Sequence, residues 1–208
     1  PLLVASAGAT SVAVPNTPDH RHDLEAMLGA ITDRTRVVIV CSPNNPTGPS
    51  LALADVERLC RASDALVVID EAYHEFSGET VVPLLERHPN LVVLRTFSKA
   101  MALAGLRVGY LLASPELVRE INKARLPYNV NFFSQAAALA VLAAPATVEA
   151  NVERLVRARG GKGGHTGPIA GFAFVEEVRR FYAGPLVLGG GIGSGRAIRA
   201  AEVLGADF

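Results

Sequence analysis

"LVVIDEAYHEF", residues 66–76, opens with four apolar side chains and closes in a cluster of charged and aromatic ones. Its apolar half has no polar alternation, so it predicts a short strand buried on both faces, as parallel strands between helices are. Three more runs share that texture: "VVIV" (37–40), "LVVL" (91–94) and "VGYLLA" (108–113). Amphipathic stretches lie between and after them. In "HDLEAMLGAI" (22–31), Leu24, Met27, Leu28 and Ile31 share one face and Asp23 stands where a helix cap belongs. "SLALADVERLCRAS" (50–63) predicts a helix capped by Ser50, with Leu53, Val56, Leu59 and Cys60 inward. "SPELVREINKAR" (114–125) offers the cap Ser114 followed by Pro115 at the first helical position. "SQAAALAVLAA" (134–144) and "TVEANVERLVRAR" (147–159) complete the helical set. This βαβα alternation predicts a three-layer α/β domain around a mostly parallel sheet.

The bulk numbers narrow the partners. The chain has 208 residues, half of them hydrophobic, with 20 basic residues against 20 acidic ones. That balance gives no electrostatic basis for binding nucleic acid or an acidic membrane surface. No apolar run reaches the ~18–20 residues a membrane span needs. Cys41 and Cys60 form no C-x-x-C pair, and reduced thiols in a cytoplasmic protein are the expectation. Residues 1–15 are apolar but lack the basic start of a signal peptide. They read as a helix end closed by Gly8 and a strand over residues 11–14, as though the chain began within a fold. The texture changes at residue 159, where "RGGKGGHTG" places five glycines between Gly160 and Gly167. Two units are therefore expected, 1–158 and 159–208.

Three loops follow the first three apolar runs: "CSPNNPTG" (41–48), "DEAYHEF" (70–76) and "RTFSK" (95–99). Ligands of open α/β sheets sit at the carboxyl ends of parallel strands, so these loops are expected to meet at one crevice. Their chemistry is complementary. Lys99 suits an aldehyde, Asp70 suits a protonated ring nitrogen, and Thr96, Ser98 and Arg107 suit a phosphate, which an arginine can hold bidentately. Aldehyde, basic ring nitrogen and phosphate together describe pyridoxal 5′-phosphate (PLP). The H-x-H of His20 and His22 lies on a loop without carboxylate partners; it reads as solvated, and no metal site is expected.

On "CSPNNPTG", "VVIDEAYHEF" and "LRTFSKAMALAGLRVGY", residues 1–157 resemble the PLP-dependent aminotransferases of fold type I. "RHDLEAMLGAIT" and "PYNVNFFSQAAALA" bring the resemblance nearest to histidinol-phosphate aminotransferases. It implies amino acids or an amino-alcohol phosphate and 2-oxo acids as substrates, and a homodimer with sites at its interface. It assigns Lys99 as the Schiff-base lysine and proton shuttle, and Asp70 as partner of the pyridinium nitrogen. Asn45 and Tyr73 are implied as donors to the ring's phenolic oxygen. Thr96, Ser98 and Arg107 are implied as the phosphate anchor. Burial near Arg107 is expected to bring the Lys99 pKa towards neutrality. The resemblance also implies an upstream phosphate loop and a closing small domain that this sequence lacks.

Residues 160–208 resemble something else. "GGHTG" and "GPLVLGGGIGSGRAIRAAEVLGAD" are similar to the nitronate monooxygenase and FMN-dependent enoyl reductase group of (β/α)₈ barrels. That resemblance implies His165 as a catalytic or substrate-contacting residue and Gly190, Gly191 and Gly195 as an FMN phosphate loop. Such a segment is a quarter of a barrel at most. The alternatives to an aminotransferase are thus an FMN-dependent oxidoreductase, or a fusion of two gene fragments without catalysis.

Overall fold

A computed structural model describes residues 2–127 and 129–159. The segment resembling a flavin barrel, with His165, Gly190, Gly191 and Gly195, lies outside the described residues. Four strands form one sheet in the order β1 (Val37–Cys41), β2 (Leu66–Asp70), β3 (Leu91–Thr96), β4 (Gly109–Ala113). The helices are α1 (Leu2–Ser6), α2 (Leu24–Ala30), α3 (Leu53–Ala62), α4 (His74–Ser77), α5 (Pro115–Ala124), α6 (Phe132–Leu142) and α7 (Pro145–Arg159).

The three apolar runs before residue 95 pair in parallel, as their texture predicts. Residues 108–113 depart from the expectation: β4 runs antiparallel to β3 and is only half-buried. A run without alternation carries no direction, and the connection from Thr96 to Gly109 holds only a 3-10 turn at Ala104–Leu106 rather than a crossover helix, so the chain returns antiparallel. The sheet is therefore mixed.

Register places Val38 and Val40 of β1 level with Val67 and Ile69 of β2, which in turn lie level with Leu91 and Val93 of β3. These side chains share one face by strand alternation. With Val56, Leu59 and Cys60 of α3 they make the main core, against which Leu24, Met27 and Leu28 of α2 also pack. The opposite face is covered unevenly. Val92 is buried there, while Ile39 is 64% and Val37 47% exposed on the edge strand β1. The expected burial on both faces, and with it a complete third layer, is absent at β1 among the described residues.

Local signals explain most element boundaries. The Asp23 carboxylate accepts the Ala26 amide, and Ser114 accepts Leu117 ahead of Pro115, so both expected caps form. Ser50 does not cap α3, which starts at Leu53 after Ala52. The Leu51 amide donates instead to the Ser42 hydroxyl, and this holds the chain extended for two further residues. Gly8, at φ +72°, closes α1. Residues 11–14 form no strand, since no described strand offers them a partner, and Val12 stands 71% exposed. Helices α6 and α7 meet at a bend of 86°, and among the described residues no single helix is long and apolar enough to cross a membrane.

Two predictions arise here. A Cβ on Gly109 would stand 3.1 Å from the Arg95 carbonyl oxygen, a backbone atom with little room to yield. Gly109→Ala is expected to destabilise the chain by about 1 kcal/mol, read as a lower urea midpoint; an unchanged midpoint would contradict the close approach. Burial pushes the Cys60 thiol up to about 11, with the Glu57 carboxylate adding to the effect. Because the thiolate is the reactive form and Cys60 is only 5% exposed, iodoacetamide at pH 8 should alkylate it only when the chain unfolds. Rapid alkylation of the Cys60 peptide in the native chain would refute that packing.

Candidate active site

The loops at the carboxyl ends of β1, β2 and β3 meet as expected. Cys41 lies level with Asp70 in the register, and the Ser42 amide donates to the Asp70 carbonyl at 3.0 Å. Cys41, Asp70 and Thr96 share the sheet face opposite the main core by alternation. Asp70 Oδ1 accepts the Ala72 amide at 3.0 Å, which turns the chain after the strand, and Oδ2 has no hydrogen bond among the described residues. Proximity of that carboxylate adds to the effect of burial in pushing the Cys41 thiol up.

The turn carries Tyr73 across to the preceding loop, where Asn45 Nδ2 donates to the tyrosine hydroxyl at 2.7 Å. The same ring lies beneath the lysine: Lys99 Nζ stands 5.2 Å from the Tyr73 centroid. Asn45, Tyr73 and Lys99, residues from three separate loops, therefore form one contiguous cluster beside Asp70.

The loop bearing Lys99 is rigidly built. The Phe97 amide donates to Val108 at 3.1 Å, Leu103 to Phe97 at 2.9 Å and Ala102 to Lys99 at 3.0 Å. Phe97 and Val108 anchor it in a second apolar cluster with Ala138 of α6. Ser134 of α6 donates its hydroxyl to the Leu106 carbonyl at 2.8 Å, tying that helix to the end of the loop. Lys99 itself is exposed, contrary to the expected burial. It follows the end of β3 by three residues, with the tyrosine ring under its Nζ.

The expected phosphate anchors are placed less tightly. The Thr96 hydroxyl accepts the Ser98 amide at 3.1 Å and donates to Val108 at 3.4 Å, so it shapes the loop first. Arg107 has a left-handed backbone, φ +55°, and gives one donor to the Ala104 carbonyl; its side chain is otherwise open to solvent. Among the described residues the Ser98 hydroxyl makes no hydrogen bond. His22 was expected to be solvated. Instead it is partly buried, and burial lowers its imidazole below the ordinary 6.5, opposed by a hydrogen bond with the Cys41 backbone.

Sequence reasoning missed Glu71. It is 1% exposed and bound by Arg95, Thr80 and the Val81 amide. The only signal was the acidic pair Asp70-Glu71, since Arg95 is 24 residues away.

A profile of the aminotransferase class I and II family matches residues 3–160. The chain belongs to that family. The family is one of PLP-dependent transferases. An aromatic amino acid aminotransferase of Rhodococcus jostii (strain RHA1) is 50% identical over 163 residues, covering 76% of this chain and 46% of the relative. One from Cutibacterium acnes is 48% identical over 165 residues, covering 76% of this chain and 47% of the relative. The chain thus spans a little under half the length of these relatives. Among solved structures, a histidinol-phosphate aminotransferase from Sinorhizobium meliloti, in complex with pyridoxal-5′-phosphate, superposes with a TM-score of 0.68 at 28% identity. That match covers 84% of this chain and 55% of the other. An N-succinyldiaminopimelate aminotransferase from Mycobacterium tuberculosis gives 0.66 at 29% identity, covering 83% and 47%.

The donor set of this aminotransferase chain suits the cofactor. A carboxylate with one oxygen unbonded among the described residues, an amide–phenol pair, an amine above that phenol ring and an exposed guanidinium lie at the end of β2 and on the loops that follow β1, β2 and β3.

Proposed function

We propose that this chain carries the cofactor-binding core of a PLP-dependent aminotransferase, with Lys99 as the reacting amine. The observation that carries this reading is the junction of the Asn45–Tyr73 hydrogen bond with the Lys99 ammonium over the same ring. When bound, the cofactor supplies an aldehyde that takes up the amino group and a protonated ring that withdraws electrons. Lys99 Nζ would be the amine that faces the aldehyde and, once displaced by the amine of the substrate, the base that carries the proton of the substrate α-carbon. The Asp70 carboxylate, aimed by its bond from Ala72, holds a proton on the ring nitrogen. Asn45 and Tyr73 hold the phenolic oxygen, while Ser98, Thr96 and Arg107 hold the phosphate.

An aromatic amino acid is the amino donor in this reading, supported by the names of relatives 48–50% identical to the chain. Histidinol phosphate is the second reading, supported by the likeness to the Sinorhizobium meliloti structure. Both donors pair an α-aminated carbon with a flat ring. A second copy of the chain is the proposed partner, supported by the apolar side chains that α6 leaves open, among them Phe132 at 77% and Phe133 at 78% exposure.

The test is covalent trapping. Incubation with PLP and borohydride should add one reduced cofactor per chain, on the peptide containing Lys99 and not in Lys99→Ala. Absence of that mass on the wild-type chain overturns the proposal. With PLP bound, a faster absorbance change with L-phenylalanine than with histidinol phosphate supports the first donor, and the reverse order the second.

A further inference from the structure

Glu71 is the most deeply buried carboxylate among the described residues, at 1% exposure. A carboxylate so placed is strongly destabilising unless paired and hydrogen-bonded. Here both oxygens are engaged. Oε1 accepts the Val81 amide at 2.6 Å; Oε2 accepts the Thr80 hydroxyl at 2.9 Å and Arg95 Nε and Nη2 at 3.1 and 2.9 Å. Arg95 Nη2 also donates to the Thr80 hydroxyl at 2.8 Å, and Tyr110 of β4 takes part in holding the guanidinium.

The location gives the pair its meaning. Glu71 follows Asp70 directly, and its amide extends the β2–β3 ladder by one bond, to Leu94 at 2.9 Å. Arg95 directly precedes Thr96. By alternation both charged side chains point to the face opposite Asp70 and Thr96. The bridge therefore fastens, from behind, the two strand ends whose next residues build the site: 70–73 with Asp70 and Tyr73, and 96–99 with Thr96, Ser98 and Lys99. Apolar packing is non-directional. A fork-shaped guanidinium on a carboxylate with four donors fixes separation and angle as well.

We propose that Glu71 and Arg95 are positioning residues that hold the Asp70 loop and the Lys99 loop in mutual register. The bridge as a loop clamp follows from geometry alone; its effect on cofactor binding rests on the function proposed above.

Two readouts on the full chain separate these levels. In Glu71→Gln, which keeps the shape and removes the charge, hydrogen exchange at the Ala72 and Ser98 amides should quicken at least tenfold. The core amides of Val67 and Ile69 should stay within threefold of wild type. The dissociation constant for PLP should rise at least tenfold. Val56→Ala, a truncation in the core under α3, is the comparison: it should quicken core amides and leave PLP affinity within twofold. Arg95→Lys keeps the charge but loses the fork, and should show the loop-specific pattern in weaker form; it decides the matter if Glu71→Gln does not fold. Unchanged exchange at Ala72 and Ser98, or acceleration spread evenly over loop and core, overturns the clamp. If the wild-type chain takes up no PLP, the proposed function fails, while exchange still decides the clamp. If the loops loosen and PLP affinity does not move, the link from the bridge to the site is overturned.

Discussion

Asp70→Asn is expected to slow amino-group transfer onto bound PLP by on the order of 10²–10³-fold, the scale on which loss of one preorganised electrostatic partner acts, while covalent trapping at Lys99 persists. The substitution is conservative in the respect that matters for the fold. Asp70 Oδ1 accepts the Ala72 amide, and an asparagine Oδ1 can accept it equally, so the turn that delivers Tyr73 to Asn45 survives. What disappears is the negative charge beside the ring nitrogen. Without it the nitrogen loses its proton, and the ring withdraws less of the charge that develops at the substrate α-carbon. A PLP analogue methylated on that nitrogen carries a fixed positive charge and should restore much of the rate in the variant. The measurement is a single-turnover absorbance trace with L-phenylalanine, beside borohydride trapping of the same sample. A rate within threefold of wild type, or failure of the methylated analogue to help, removes Asp70 from its assigned role.

Such a prediction was available from sequence because the residues concerned stand at strand ends. An apolar run of four or five residues fixes where a strand stops, and the next residue faces the carboxyl edge whatever the rest of the fold does. Asp70 and Lys99 were legible on that basis, whereas Asn45 and Tyr73 were implied by the family resemblance; the structure joins Asn45, Tyr73 and Lys99 in one cluster on the loops after β1, β2 and β3. Direction was harder to read. "VGYLLA" is as apolar read backwards as forwards, so β4 passed for a parallel strand until its register with β3 showed otherwise. Position relative to cover was harder still. Nothing local marks β1 as the edge of the sheet, nor Lys99 as exposed. The Glu71–Arg95 bridge was invisible for a third reason: each residue has an ordinary neighbourhood in the sequence, and only the parallel pairing of β2 with β3 brings the 24-residue separation down to a hydrogen bond.

The second large effect concerns the sheet that carries these loops. Ile69→Ala should cost about 2–5 kcal/mol, the range for truncating a large core aliphatic, out of a total stability of about 5–15 kcal/mol for a domain. Ile69 is fully buried on the interior strand β2, between Val40 and Val93 in register. Ile39 has the same chemistry on the adjacent strand but the opposite face, and it is 64% exposed. Ile39→Ala should therefore change stability by no more than about 0.5 kcal/mol. The pair is read from urea midpoints at constant slope, so that a change in the denatured state is not mistaken for one in the core. Since Asp70 follows Ile69 directly, the Ile69 variant should also weaken PLP retention, while the Ile39 variant should not. A cost at Ile39 matching that at Ile69 would mean that the outer face of β1 is covered in solution. A second copy of the chain is one candidate for that cover, and concentration dependence of the Ile39→Ala midpoint would expose it. A small cost at Ile69 would instead undo the register on which the whole site is built.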